Sequence, residues 1–306
     1  MLFYIAAKIQ LLFKIAKYEV DYLVISYVIV IFAWYYMIMR IKYALMVFGG
    51  FIILLVVIYG ILYYRWCHLW ALEEIHQPYQ VQLHHDDTLR VVMIGDSWAG
   101  MHDEAGLDSF LQRQLNGLTD SPVIVKSRGK GGEKSRGIYN LMFEYGKYGT
   151  RSILSEGPDY CIVMAGINDA AANRGVRQYL YHYKLILDFL LSHNIRPVIV
   201  EIPDVDIWAL HGSKSIKDLL GDYLKSMMTG CDMYNYHEYR EALLSMLKED
   251  GLMKKIVLIS MKEWNGEGEK IDKSLFLEDQ IHLNRKGYEL LDSCISFKII
   301  EDYNSR

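Results

Sequence analysis

The sequence predicts an α/β domain built on one parallel sheet and, ahead of it, an all-α membrane hairpin. Two observations carry this expectation. Within the first 66 residues, Tyr22–Met39 and Ala44–Tyr64 are almost wholly apolar and hold no charged residue. From Leu89 onward, short β-branched runs alternate with longer amphipathic stretches, which is the pattern of strands joined by crossover helices.

Each apolar stretch meets the requirement of roughly 18–20 residues for a helix crossing about 30 Å of hydrocarbon. Only Arg40-Ile41-Lys42-Tyr43 separates them. Read as a tight polar turn, that segment gives two transmembrane helices, about 22–39 and 44–64, and a multi-pass protein of the cell membrane. Tyr35, Tyr36, Tyr63, Tyr64 and Trp66 cluster near the ends of the spans, as interfacial aromatic belts do. A cleaved signal peptide fits poorly, because the apolar runs are two and long and no small-residue cleavage site follows. In Met1–Lys17 the residues Ile5, Ile9, Leu12, Phe13 and Ala16 share one helical face, which suits a helix lying in the headgroup plane. Residues 1–66 are therefore expected to form the anchor, with the lipid bilayer as partner. A hairpin puts Lys8, Lys14, Lys17 and Arg65 on one side and Arg40 and Lys42 on the other, a count leaning toward a cytoplasmic main domain without settling the side.

Residues 67–88 read as a polar connector containing Glu73, Glu74, His84, His85, Asp86 and Asp87. Strands are expected at Leu89–Ile94, Val123–Lys126, Tyr160–Ala165, Pro197–Ile202 and Lys255–Ser260. Helices are expected at Gly106–Leu115, Ser135–Tyr145, Val176–His193, Ile216–Met228 and Glu238–Glu249. A last one should run over Arg285–Asp302, with Asn284 as its N-cap. This alternation makes residues 89–306 one domain, whose ligand site should lie beyond the carboxyl ends of the strands.

Composition narrows the function. The chain is 52% hydrophobic and 23% charged with a net charge of −4, and the apolar excess is concentrated in the first 66 residues. No basic cluster follows the anchor, which argues against a nucleic-acid partner. The 4 cysteines, Cys67, Cys161, Cys231 and Cys294, form no CxxC pair, so neither structural zinc nor a disulfide framework is implied. His84-His85-Asp86-Asp87 has metal-ligand residue types without zinc-site spacing, and Gly129-Lys130-Gly131-Gly132 lacks the Gly-Lys-Ser/Thr ending of a phosphate loop.

Four polar segments follow predicted strands: Gly95-Asp96-Ser97-Trp98, the glycines ending at Gly132, Gly166-Ile167-Asn168-Asp169, and Asp279-Gln280-Ile281-His282. Each alone is an ordinary turn. In a parallel sheet all four meet at one edge, where they would supply what acyl transfer needs. Ser97 would be the nucleophile, His282 the base that activates it, and Asp279 the carboxylate that orients the base. The Asn168 amide and backbone N–H groups near Ser97 and Gly132 would be donors for a tetrahedral oxyanion.

These four segments resemble the signature blocks of the SGNH (GDSL-type) hydrolase family over roughly residues 89–300. The resemblance implies a three-layer flavodoxin-like fold, Ser97, Asp279 and His282 as catalytic triad, an oxyanion hole of Ser97, Gly132 and Asn168, and no metal or other cofactor. The second block offers Gly129, Gly131 and Gly132, of which Gly132 is preferred. Trp98 stands where the family usually has Leu or Ile, and Trp98 and Asp169 are the candidate substrate contacts. Trp98 and Trp208 are also candidates to stack a sugar ring, although aromatic side chains near a cleft are more often core.

The expected activity is an esterase removing O-acyl groups, acetyl first among them, from cell-envelope glycans through an acyl-enzyme. The alternatives are an acyltransferase using the same triad, a lipid esterase, or a silent glycan-binding or scaffold domain.

Overall fold

The computed structural model describes residues 2–68, 71, 76–205, 214–266 and 272–306. The chain divides into two compact units, Met1–Tyr64 and Arg65–Arg306.

The first unit lies within one helix, α1 (Leu2–Cys67), and its described side chains are almost all exposed. The expected hairpin is not found: Arg40-Ile41-Lys42-Tyr43 continues the helix and makes no turn. The physical reason is local. No proline, asparagine or glycine interrupts these four residues, and Arg, Ile and Lys are competent helix formers, so backbone hydrogen bonding carries through. The expected headgroup helix over Met1–Lys17 is likewise the beginning of this helix wherever it is described. Ala6–Cys67 is long and apolar enough to cross a membrane. At 1.5 Å per residue α1 extends about 100 Å, well beyond one hydrocarbon core of about 30 Å.

In the second unit, the chain over 76–88 is mostly exposed, as a polar connector should be, with local attachments to the domain. Tyr79 and Val81 pack against the core, and the Gln82 N–H donates to the Ser155 carbonyl at 3.0 Å. The domain then alternates as expected. Strand β1 (Leu89–Gly95) leads to α2 (Ser97–Glu104) and α3 (Asp108–Asn116), and β2 (Val123–Gly129) to α4 (Ser135–Leu141) and α5 (Arg151–Leu154). After β3 (Tyr160–Met164) come α6 (Ile167–Ala171) and α7 (Val176–Ser192), and after β4 (Arg196–Val200) come α8 (Ile216–Thr229) and α9 (Tyr236–Glu249). Finally β5 (Val257–Ile259) is followed by α10 (Met261–Trp264) and the closing helix α11 (Arg285–Asn304). Helix α4 ends earlier than its amphipathic pattern suggests, because Gly146 at φ +103° turns the chain and Thr150 donates back to the Leu141 carbonyl.

All strand pairs are parallel, in the order β2-β1-β3-β4-β5. Helices α3 and α11 pack together in one layer, and α4, α7 and α9 in another, giving three layers. Strands β1 and β3 are buried on both faces, which is why they read as unbroken apolar runs. Register fixes where the site forms. Gly95 lies opposite Gly129 on one side and Met164 on the other, so β1, β2 and β3 end level. The polar segments that follow them must therefore emerge together at one edge.

Candidate active site

Strand β1 delivers Asp96 and Ser97 into the first turn of α2. The Asp96 carboxylate caps that helix, accepting from the Trp98 N–H at 3.0 Å, while its own N–H donates to the Met164 carbonyl of β3 at 3.1 Å. Ser97 is thus held from both sides at the level strand edge. Gly129 is required where β2 passes beneath α2, since a Cβ there would lie 2.4 Å from both the Asp96 carbonyl oxygen and the Gly100 nitrogen. The glycine turn then borders the serine: a Cβ on Gly131 would sit 4.0 Å from that of Ser97. The next residue, Gly132, has φ +75°, a left-handed conformation that L side chains rarely adopt.

His282 arrives from the loop before α11. Its Nε2 is 2.9 Å from Ser97 Oγ, and its Nδ1 is 2.6 Å from Asp279 Oδ2. The other oxygen of Asp279 accepts from the backbone N–H groups of Ile281 and His282, both at 2.9 Å. Burial pushes the Asp279 carboxyl up, but the hydrogen bonds from the His282 side chain and these two N–H groups outweigh it and hold the group below its ordinary value. An ionised Asp279 places the imidazole proton on Nδ1 and leaves Nε2 free to accept the serine proton. The loop is fixed by Asn284, whose side chain accepts from the Gly287 N–H at 3.0 Å and donates to the Phe276 carbonyl at 3.1 Å.

Asn168 lies on α6, and its amide donates to Asp96 Oδ2 at 3.2 Å. Asp96 therefore anchors both α2, which begins at Ser97, and this amide. Burial pushes the Asp96 carboxyl up to about 7, against the lowering effects of the hydrogen bonds from the Trp98 N–H and the Asn168 amide. Ser97, Gly132, Asn168, Asp279 and His282 all follow the strand ends or sit on the loop that meets them.

Two sequence expectations change. Asp169 is not a substrate contact: it is 1% exposed, and its carboxylate accepts from the Ser135 N–H at 2.8 Å and the Ser135 hydroxyl at 2.7 Å. It ties the start of α4 to α6, because a buried carboxylate needs such donors. Trp98 is 3% exposed and offers no open face for a sugar ring. Its Nε1–H donates to the Ile281 carbonyl at 3.2 Å and its own carbonyl accepts from the Tyr288 hydroxyl at 3.0 Å, so it braces α2 against the loop of His282. Trp208 lies outside the described residues.

Trp98 does contribute a wall to a small, largely apolar cleft, shared with Asp96, Met164, Ala165, Ile167, Ile202 and Pro203. With its open mouth the cleft has about 250 Å³ of empty space. Below α2 lies a network that no sequence motif announces. Buried His102 bonds through Nδ1 to Asp108 and Ser127, each at 3.1 Å, and through Nε2 to Asp292 at 3.1 Å. Burial opposes its charge, but Asp108 and Asp292 prevail and push it up to about 9. Among the described residues, no group of three or more His, Cys, Asp and Glu side chains could hold a metal ion.

The profile of the GDSL-like Lipase/Acylhydrolase family matches residues 93–290, about two thirds of the chain. The chain belongs to this family. No curated protein matches it in sequence. Among solved structures it is similar to a lipase/acylhydrolase from Enterococcus faecalis, at 16% identity and a TM-score of 0.52, over 70% of this chain and 96% of that one. The psychrotrophic esterase EstA from Pseudoalteromonas sp. follows at 16% identity, TM-score 0.47, and 72% and 100% coverage. An acetyl-xylooligosaccharide esterase from Geobacillus Stearmophilus has 12% identity, TM-score 0.49, and 71% and 96% coverage. The protein is a serine hydrolase of ester bonds on the three-layer fold of that family.

Proposed function

We propose that the protein is a membrane-anchored esterase that removes short O-acyl groups, acetyl first among them, from cell-envelope glycans. The observation that carries the chemistry is the chain of contacts from Ser97 Oγ through both ring nitrogens of His282 to Asp279. Ser97 Oγ attacks the ester carbonyl carbon as His282 Nε2 takes its proton. The oxyanion is met by the backbone N–H groups of Ser97 and Gly132 and by the Asn168 amide, which Asp96 holds by one of its two protons. The bond to the alcohol breaks as His282 returns the proton to the leaving oxygen, leaving the acyl group on Ser97. Water, deprotonated by the same histidine, attacks the acyl-enzyme and releases the acid, and Ser97 recovers its proton.

The small cleft whose walls include Asp96 and Trp98, the two chain neighbours of Ser97, supports a short acyl group. The anchor supports an envelope substrate, because it confines the enzyme to the membrane surface. The test is to offer the full chain acetyl, butyryl and octanoyl esters and O-acetylated oligosaccharides. Acetyl esters should be cleaved fastest, and Ser97→Ala should lose both turnover and labelling by a fluorophosphonate while its thermal midpoint holds. Turnover surviving Ser97→Ala would overturn the site. A preference for octanoyl esters would turn the substrate toward lipids, and dominant transfer to an added sugar acceptor would make the protein an acyltransferase.

A further inference from the structure

Helix α8 (Ile216–Thr229) is amphipathic in the reverse of the usual sense. Ile216, Leu219, Leu220, Tyr223, Leu224 and Met227 follow the i, i+3, i+4, i+7 spacing of a single face, and all six are exposed, Ile216 by 86% and Leu220 by 58%. At 3.6 residues per turn they occupy an arc of about 140°. The face turned toward the protein is the polar one. Asp222 is buried there, accepting from Lys225 Nζ at 2.8 Å and the Tyr234 hydroxyl at 2.6 Å and pairing with Lys214. A helix that buries a carboxylate with its cations while exposing six large apolar side chains is built for an apolar surrounding on its outer side.

The last residues of α1 lie against α8. Arg65, Trp66 and Cys67 belong to the same compact unit as α8, and the Cys67 thiol donates to the Met228 carbonyl in the last turn of α8 at 3.4 Å. Lys225 and Arg174 lie over the Trp66 ring, 5.6 and 4.9 Å from its centroid. The charge-free run ends at Tyr64, three residues before Cys67 in the chain. We infer that α8 lies in the membrane interface, its apolar face in the boundary between headgroups and acyl chains, as a second attachment of the hydrolase unit to the bilayer. Lys217, exposed at the margin of the apolar arc, is placed to reach the phosphates while its stem covers apolar surface. Arg174 also follows α6, the helix of Asn168, so the attachment lies a short way along the chain from the oxyanion side of the site. The inference rests on the reading of α1 as the membrane anchor.

The test uses the full chain in vesicles of phosphatidylethanolamine and phosphatidylglycerol, with the partly exposed Cys67, Cys231 and Cys294 replaced by Ala. An environment-sensitive fluorophore is placed at Leu220→Cys or, as a report on the anchor, at Val56→Cys. Cleavage of a soluble acetyl ester confirms that each variant is folded. Lipids carrying a nitroxide on the acyl chain should reduce emission at both positions to roughly half, and aqueous iodide should reach neither. Quenching at Val56→Cys without quenching at Leu220→Cys overturns the role of α8 and leaves the anchor standing. No quenching at Val56→Cys overturns the anchor and this inference with it. Protection of Leu220→Cys from both quenchers means that protein, such as a second copy, covers the face, and also overturns the inference.

Discussion

Asp96 stands one residue before the nucleophile and binds two things at once, the Trp98 N–H at the head of α2 and the Asn168 amide. Replacing it by Asn keeps an acceptor for Trp98 but turns an N–H toward the Asn168 amide, so that bond is lost. The Asp96→Asn enzyme should lose about ten- to a hundredfold in kcat/KM, approaching the two to three decades expected of Asn168→Ala if its amide is the proposed oxyanion donor. Stability should move the other way. Burial raises the folded carboxyl to about 7, so its charged form destabilises the fold progressively as pH rises from its unfolded value near ~4 through about 7. Relative to the parent, the Asn variant should therefore gain stability across that window, as read from urea midpoints at successive pH values. A variant both less active and less stable at neutral pH would show that the carboxylate is needed for the fold itself. The sequence pointed to Ser97, Asn168, Asp279 and His282 because acyl transfer requires those residue types. It could not show that Asp96 and Trp98 brace them, since bracing depends on which backbone groups happen to lie within reach.

At the scale of elements, strands were readable wherever burial on both faces left an unbroken β-branched run, as in β1 and β3. Short helices such as α2 and α6 were not, because eight and five residues are too few for a periodic pattern. The His102 network was equally hidden, as its members come from α2, α3, β2 and α11. It joins α2 to the closing helix through the buried His102 ring between Asp108 and Asp292. His102 has a folded value raised to about 9, so its contribution is fully present below the ordinary histidine value of about 6.5 and is lost as pH rises through about 9. The parent should therefore lose on the order of 3 kcal/mol between these limits. His102→Gln, which leaves buried carboxylates without their cation, should be less stable by about 3–5 kcal/mol at neutral pH and should lack the alkaline decline. Denaturant melts from pH 6 to 10 check both, and a parent curve flat over that range would show that the imidazole is neutral in the fold.

For the whole molecule, the continuous α1 changes the argument about sides. The hairpin expectation came from treating Arg40-Ile41-Lys42-Tyr43 as a turn by its charge, when nothing in its backbone preferences breaks a helix. Without that turn, Lys8, Lys14 and Lys17 no longer share a side with Arg65 by construction. The side of the hydrolase unit is then set by the apolar run that adjoins it, Ala44–Tyr64. Arg40 and Lys42 precede this run closely, whereas Arg65 is followed by no Lys or Arg until Arg90. If Ala44–Tyr64 is the span, as proposed, the positive-inside bias predicts the amino-terminal flank in the cytoplasm and the hydrolase unit outside. That side is where envelope glycans are met, and there α8 would rest on the outer leaflet. A fusion of alkaline phosphatase to Arg306 should accordingly be active in whole cells, and a green fluorescent protein fused at the same residue should stay dark. Substituting Arg40 and Lys42 by Gln should weaken this orientation, since it removes the cations that hold the flank inside. The reverse pair of signals would put the hydrolase on the cytoplasmic face, where its ester would have to be a lipid or a glycan precursor still on that side of the membrane.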